Sequence, residues 1–480
     1  MPTVADKPLA ARVCREAVNV AAGPGAMLQR LSMQPYPAVL ESTAFDPRWG
    51  RHSVLACRPI EIVTLREGAL LDLAQRPLPG RNVLESLRQA LGRVQVAGGD
   101  PGPYGPGWIG YVGYEFGRQI ERLPGRAARD TGLPDLHLAL YDAAAVYDAV
   151  ERRWALTWLD YDSPRCGEAR EVLRRIIRAG GAEFPDREVA DASPLPRMLP
   201  AIVSNFSPEA YRRAVQRCID YIAAGDIFQV NLSQRFTVAD APPPVAIYQA
   251  LRRRNPSWYS GMLLLGASAV LSSSPELFLR VRGREVLTRP IKGTRRRTGD
   301  PAADRAAAAE LLASEKDNAE LAMIIDLLRN DLGRVCRYGS VRVANRRELE
   351  AHPTVYHLVG TVVGELCEGV DAAGLLAASF PGGSITGAPK IRAMEIIDEL
   401  EPVARGVYTG SIGYVGLTGT AEWNIAIRTL VHEGGRAHVH AGGGIVADST
   451  PEGEYQETLD KARALLEAVA AADAGRSGSA

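Results

Sequence analysis

The sequence predicts an α+β protein whose first half is mainly β and whose second half mixes strands with amphipathic helices. Three observations carry that reading. Short β-like runs separated by turn residues occupy the first half. Apolar stripes at helical spacing, behind recognisable caps, recur in the second. Between them lies a stretch with Pro185, Pro194, Pro196 and Pro200 and no hydrophobic periodicity. The expected organisation is a first region over residues 10–185, a linker over 186–204 and a second region over 205–470.

With 480 residues, 46% hydrophobic and 23% charged, the chain has the make-up of a globular protein that buries a sizeable core. Its 56 basic and 56 acidic side chains cancel, so no overall field draws it to nucleic acid or to an anionic membrane. An anionic ligand needs a local site. Residues 1–20 contain no apolar signal segment, and no later stretch approaches about 18 uninterrupted apolar residues; a cytoplasmic protein is expected. Cys14, Cys57, Cys166, Cys218, Cys336 and Cys367 stand isolated, the pattern of small core residues rather than of a disulfide framework or zinc cluster.

In the first half, β-like runs are expected at 53–56, 60–66 and 108–114, then as a long hairpin-like pair around 136–147 and 154–158. Gly107, Gly110 and Gly113 are spaced by three, but no helix follows as in a dinucleotide loop. Close strand packing is the expected use.

Beyond the prolines, Ser207-Pro208-Glu209 caps a helix with the stripe Ala214, Val215, Cys218, Ile219 and Ile222, ended by Gly225. In the strand over 227–236, Gln229, Asn231, Ser233 and Arg235 alternate with Phe228, Val230, Leu232 and Gln234; the polar row faces either solvent or a cleft. A helix over 314–335 buries Leu321, Ile324, Ile325 and Leu328, with Asp317 and Glu320 on another face. The last helix starts at Thr450-Pro451 and carries Glu454, Glu457 and Lys461, with Leu459, Ala462, Leu466 and Val469 buried and 475–480 a frayed tail.

Lys292 follows a predicted strand among Arg289, Arg295, Arg296 and Arg297. Such a run is ordinarily a solvated basic surface. Held in a loop and partly buried, the same lysine has cationic neighbours that disfavour its charged form, which is how an amine becomes a nucleophile. Two helices that each offer acids at i,i+3 present either solvated faces or the oxygen ligands of a hard cation such as Mg²⁺. The glycine-rich runs 380–390, ahead of a helix, and 440–446, after a strand, offer backbone N–H groups to an anion. The first departs from the phosphate-loop pattern, so a carboxylate fits better than a nucleotide. Arg428, read within a strand over 423–431 on the face of Asn424 and Ala426, suits bidentate pairing with a carboxylate. His352 and His357 flank a turn, and His357 is an acid/base candidate.

Taken together, five segments resemble one family. Residues 226–236 (DIFQVNLSQRF), 290–294 (PIKGT), 316–333 (KDNAELAMIIDLLRNDLG), 380–390 (FPGGSITGAPK) and 441–448 (AGGGIVAD) are similar, in order and spacing, to the motifs of the chorismate-utilising enzymes. The similarity spans roughly residues 206–466, and the first half resembles the amino-terminal region of anthranilate synthase component I and aminodeoxychorismate synthase component I. The resemblance implies an anthranilate synthase component I-like α/β sandwich: two antiparallel sheets packed centrally with helices outside, and a cleft in the second half for chorismate and Mg²⁺.

Carried over position by position, it implies Glu320 and Glu457 as direct metal ligands and Asp317 and Glu454 as outer acids. Tyr408, Arg428, Lys461 and the Gly442-Gly443 backbone are implied to hold the substrate carboxylates, with Glu276 and His357 as acid/base residues and Thr386 on the site wall. Gln229 stands where water-adding relatives carry an activating lysine, and Lys292 where anthranilate synthases typically have alanine. Asn231 and the Ser-Ile-Thr-Gly segment fit the same branch as Lys292, that of the aminodeoxychorismate synthases. The implied reaction converts chorismate and ammonia to 4-amino-4-deoxychorismate, which feeds 4-aminobenzoate and folate synthesis, through a covalent intermediate on Lys292.

No Gly-x-Cys-x-Gly nucleophile elbow occurs in the sequence, so ammonia is expected from a separate glutamine amidotransferase subunit. The alternatives are anthranilate synthase component I and a non-catalytic regulator that binds chorismate or tryptophan. Glu41-Ser42 resembles the tryptophan-binding segment of relatives, and Trp423-Asn424 replaces the Asp-Thr usual in several of them.

Overall fold

The computed structural model describes residues 8–183, 201–353 and 355–477. Residues 186–200 of the expected linker lie outside that set, and its end, Ile202–Ser204, is a strand. Among the described residues two sheets form, one of 13 strands and one of 11. They face each other across an apolar layer that includes Val54, Ile109, Tyr111, Val270 and Ile412. Helices cover the outer faces, packed on clusters around Leu173, Leu251 and Leu465 on one side and around Leu321, Met394 and Trp423 on the other.

The chain takes one route through both sheets twice. In the first half Leu9–Val18 is followed by the hairpin Ala38–Glu41 and His52–Ala56 in the larger sheet. The chain then crosses to the smaller sheet for Glu61–Arg66 and Ala69–Asp72, returning there as Gly107–Val112 and Leu136–Tyr141. It crosses back to Ala143–Asp148 and Arg153–Asp160 and ends on the helix Glu168–Glu183.

In the second half Gln229–Val238 and the helix Pro244–Arg254 lead to the hairpin Tyr259–Leu264 and Ser268–Ser274. The crossing at Pro275-Glu276 enters Leu277–Arg282 and Glu285–Arg289, and Ser411–Gly416 and Thr420–Asn424 follow in the same sheet. Residues 425–428 carry the chain back to Thr429–Glu433 and Arg436–Ile445, and the helix Pro451–Ser477 closes the route. The halves join where Ala38–Glu41 pairs with Tyr259–Leu264 and Gly107–Val112 with Ser411–Gly416.

Two expected runs are thereby corrected. Residues 136–147 are two strands in different sheets, broken at Asp142, and Arg428 does not share a strand with Asn424 but enters the next strand, in the other sheet, at φ 48°. The alternation of side chains runs on through a change of sheet, so periodicity alone does not show the break. Gly442–Gly444 lie inside a strand rather than after one, and the last helix continues through Ser477. The spacing of Gly107, Gly110 and Gly113 is explained by close packing. A Cβ on Gly110 would sit 1.9 Å from the His137 carbonyl oxygen and one on Gly107 2.5 Å from that of Val415.

The caps stand where local chemistry places them. Ser207 accepts the Ala210 N–H at 3.1 Å and Ser314 that of Asp317 at 3.2 Å. No helix among the described residues is long and apolar enough to cross a membrane.

Candidate functional site

Between Ala69–Asp72 and Gly107–Val112 the first half has only the helix Val83–Leu91 and the strand Val94–Val96. The equivalent interval in the second half, from Arg289 to Ser411, inserts the strands Ile291–Arg296, Arg342–Ala351 and Val355–Glu365 and the helices Pro301–Ala313, Glu315–Gly333, Ala372–Ser379 and Lys390–Leu400. Lys292, Asp317, Glu320, His357, Thr386 and Tyr408 all belong to it.

Lys292 pairs with Leu358, and a bulge follows at Gly293, whose φ is 76°. A Cβ there would meet Asp317 Cγ at 2.9 Å, so the lysine strand lies against the acid-bearing helix only because this residue is glycine. Lys292 Nζ is 3.6 Å from Glu320 Oε2. A Cβ on Gly444 would lie 2.6 Å from Gln229 Nε2 and 3.3 Å from Lys292 Nζ, which places these three residues together.

Three of the four arginines expected around Lys292 are engaged with other partners among the described residues. Arg289 pairs with Glu350 and stacks 3.7 Å over the Trp49 ring, Arg295 binds Glu310 and Asp317 at 2.8 and 3.1 Å, and Arg297 donates to the His352 carbonyl. The charge nearest Lys292 is a carboxylate.

Glu276 stands at the crossing between the sheets, buried, and accepts the Ser384 hydroxyl at 2.6 Å. Burial pushes its carboxyl up to about 7 against the pull of Ser384 and Lys292. His357 is buried with Nδ1 2.9 Å from Thr294 Oγ1, and its ring meets His352 edge-on at 4.9 Å. Burial, then Arg428 and His352, hold it well below the usual imidazole range, so it is neutral. Burial also lowers Arg428, whose guanidinium has no hydrogen bond or ion pair among the described residues. An unpaired arginine on a strained backbone is arranged to receive an anion.

Tyr408 is buried and stacks on His440 at 5.2 Å. Thr386 turns its hydroxyl back to the Gly382 carbonyl, and its own carbonyl accepts the Asn231 N–H at 2.8 Å. The polar row of Gln229, Asn231, Ser233 and Arg235 is buried rather than solvent-facing. Gln229 Oε1 and Nε2, Asn231 Oδ1 and His357 Nε2 are buried without partners among the described residues. Buried polar atoms are rarely left so, and each of these is available to a polar ligand.

The four acids form two pairs. Lys461 reaches Glu457 at 2.5 Å and donates to the Gly442 carbonyl at 2.9 Å, while Glu454 accepts the Ser449 hydroxyl at 2.6 Å. Burial and Glu457 raise Glu454; Glu457 itself is held low by Lys461 against partial desolvation. A Cβ on Gly443 would meet Glu454 Oε2 at 2.7 Å and Glu457 Oε1 at 3.2 Å. Among the described residues no three His, Cys, Asp or Glu side chains meet as a preformed metal cage. The donors are hard oxygens whose counter-ions include Lys292 and Lys461, and Mg²⁺ requires only one or two direct carboxylates beside a substrate group, so the set fits that ion. Beyond Val439 the strand Arg436–Ile445 pairs with a strand on one side only among the described residues, and on the other Lys461 meets the Gly442 carbonyl.

Glu41 and Ser42 lie apart from this site. Glu41 accepts the Tyr248 hydroxyl at 2.9 Å and pairs with Arg252, and the Ser42 hydroxyl donates to the Ala44 carbonyl at 2.6 Å. Glu41, His52, Tyr104, Tyr259, Tyr414 and Asn424 line a cavity of about 40 Å³, room for a few waters. Asn424 is held by the Tyr259 carbonyl and the Ile412 N–H.

Sequence reasoning did not single out Ser384, which holds Glu276, or Arg405, a buried arginine beneath Tyr408. Ser384 lay within a quoted motif; Arg405 had no local signal.

The chain matches a family described as chorismate binding enzyme over residues 40–467. It is 41% identical over 457 residues to anthranilate synthase component 1 of Cereibacter sphaeroides, covering 91% of this chain and 89% of that protein. To aminodeoxychorismate synthase component 1 of Klebsiella aerogenes it is 39% identical over 446 residues, covering 91% and 94%. The crystal structure of anthranilate synthase component I from Streptococcus pneumoniae superposes with a TM-score of 0.77 at 34% identity, covering 87% of this chain and 92% of that one.

Proposed function

The chain belongs to the chorismate-binding enzyme family, and from that premise we propose that it is an aminodeoxychorismate synthase component I, converting chorismate and ammonia to 4-amino-4-deoxychorismate and water. Relatives of both aminating branches stand at similar identity, so the choice rests on one observation: Lys292 lies among Gln229, Gly444 and Glu320 and is felt by Glu276. That is the position for an amine nucleophile.

In the proposed reaction the amine nitrogen of Lys292 attacks C2 of chorismate. The two ring double bonds shift, and the C4–O bond breaks. Glu276, raised to about 7, supplies the proton that lets hydroxide leave as water. Ammonia then adds at C4, the π-electrons shift back and the C2–N bond to Lys292 breaks. Arg428, the unpaired cation, and Tyr408 hold one carboxylate of the dianion, and Lys461 with the Gly442-Gly443 backbone holds the other. Neutral His357, fixed by Thr294, orients the reacting ring. Mg²⁺ bound by Glu320 and Glu457, with Asp317 and Glu454 behind them, would neutralise a substrate carboxylate. Relatives carry the name component 1, which supports a partner amidotransferase subunit as the source of ammonia.

Incubating the protein with chorismate, Mg²⁺ and ammonium, with and without an aminodeoxychorismate lyase, tests the choice. 4-Aminobenzoate should form only with the lyase; fluorescent anthranilate formed without it would overturn the proposal.

A further inference from the structure

Arg405 is 2% exposed, and its guanidinium serves four partners. It donates to both oxygens of Glu401 at 2.9 and 2.7 Å, to the Ile385 carbonyl at 3.1 Å, to Thr409 Oγ1 at 3.2 Å and to the Asn231 carbonyl at 2.7 Å. Glu401 in turn accepts the Ser233 N–H and hydroxyl at 2.8 and 2.9 Å. Three separate segments are thus tied to one cation: the strand with Gln229 and Asn231, the loop with Ser384 and Thr386, and the turn with Tyr408, whose ring lies 5.9 Å from the guanidinium carbon.

The first half grips the same turn. Glu115 accepts the N–H groups of Arg405 and Gly406 at 3.0 and 2.9 Å, the Tyr114 N–H donates to the Gly406 carbonyl at 2.8 Å, and the Tyr114 ring lies 4.7 Å from the guanidinium. A buried ion pair alone is weak evidence of a stabilising role. Here every donor direction is used, and the planar fork of arginine supplies more fixed donors than the three rotating ones of lysine.

We infer that Arg405 is a positioning residue for the chorismate site, clamped by Glu401 and, from the first half of the chain, by Tyr114 and Glu115. It acts through Asn231, Thr386 and Tyr408, and the inference rests on the reading of those three as substrate-holding. The first half is in this sense part of the catalytic apparatus.

The test is Arg405→Lys in the full chain, with Tyr408→Phe and the double variant. Arg405→Lys should raise the chorismate KM about tenfold or more, since small misplacements of holding groups are costly, and leave the ammonium KM unchanged. The double variant should lose no more than about threefold in kcat/KM beyond the worse single variant, because both changes act on one contact. Losses that multiply, or a folded Arg405→Lys with the wild-type KM, would overturn the inference. Should Arg405→Lys not fold, Glu115→Gln enters the same cycle with the same expected direction, and a wild-type KM there counts against the clamp. If the wild type turns over no chorismate, the functional reading fails separately, and the cycle is then read by calorimetric chorismate binding.

Discussion

The two halves follow the same route between the same two sheets, yet they differ in which charged groups along it are paired among the described residues. At the first half's crossings Arg58, with φ 57°, pairs with Glu168 at 3.3 Å, and Asp142 accepts the Tyr161 hydroxyl at 2.9 Å. At the corresponding crossings of the second, Glu276 stands where Arg58 does and accepts the Ser384 hydroxyl, and Arg428, at the crossing equivalent to that of Asp142, has no hydrogen bond or ion pair among the described residues. The helix Glu168–Glu183 carries Glu168 and Glu171 at the spacing of Glu454 and Glu457, but they are bound by Arg58 and Arg174. Where Arg436–Ile445 has three glycines, Arg153–Asp160 has Trp154, Leu156 and Trp158. Route and charge spacing therefore do not make a site. It needs the inserted segment with Lys292, together with strand positions emptied of side chains.

That contrast can be broken most directly at Lys292. Lys292→Ala should cut ammonia-dependent amination by about a thousandfold or more, and protein quenched with chorismate should lack the mass adduct expected of the wild type. Near-normal turnover would return the second half to the status of the first.

Glu276→Gln should lower kcat by about a hundredfold or more. Since the acid donates its proton below its pKa of about 7, the wild-type rate should fall as pH rises through that value, and the variant should lack this limb. The same shift bears on stability. The folded acid keeps its proton above the ordinary value of 4.5, so the native state is penalised once pH exceeds 4.5, and fully above 7. Glu276→Gln should therefore gain on the order of 3 kcal/mol over the wild type at pH 8, fading toward pH 4.5; denaturant unfolding at both ends of that range measures it.

A smaller effect is expected at the acids. Glu320→Gln should raise the Mg²⁺ concentration for half-maximal activity about tenfold or more, with an unchanged value removing that carboxylate from the metal site. Smallest of all, Asp142→Asn in the first half should change kcat/KM by less than about threefold, as befits a residue away from the chemistry. A loss matching that of Glu276→Gln would mean that the crossings of the first half carry chemistry as well.

What could be read from the sequence was local. The Ser207 and Ser314 caps, the stripe Leu321, Ile324, Ile325 and Leu328, and the close packing of Gly107, Gly110 and Gly113 depend on neighbours a few positions away. The segments holding Lys292, Gln229 and the acid pairs were also visible, as motifs. The sheet crossings at Asp142 and 425–428 were not, because alternation is indifferent to which sheet a strand joins. Nor could the surroundings of Lys292 be read: a bulge and the partners Glu350, Glu310 and Asp317 draw the adjacent arginines elsewhere. Arg405 gathers Asn231, Ile385 and Thr409 from three segments, a relation with no linear trace.

The seam at which Ala38–Glu41 meets Tyr259–Leu264 and Gly107–Val112 meets Ser411–Gly416 also governs how the polypeptide comes into being. Strands more than two hundred positions apart must find each other in both layers before either is closed. A nascent first half waiting for the second therefore exposes two unpaired strand edges, templates for wrong pairing, and assembly is correspondingly slow. Splitting the gene between the halves should give fragments that aggregate when made singly and are rescued by co-expression.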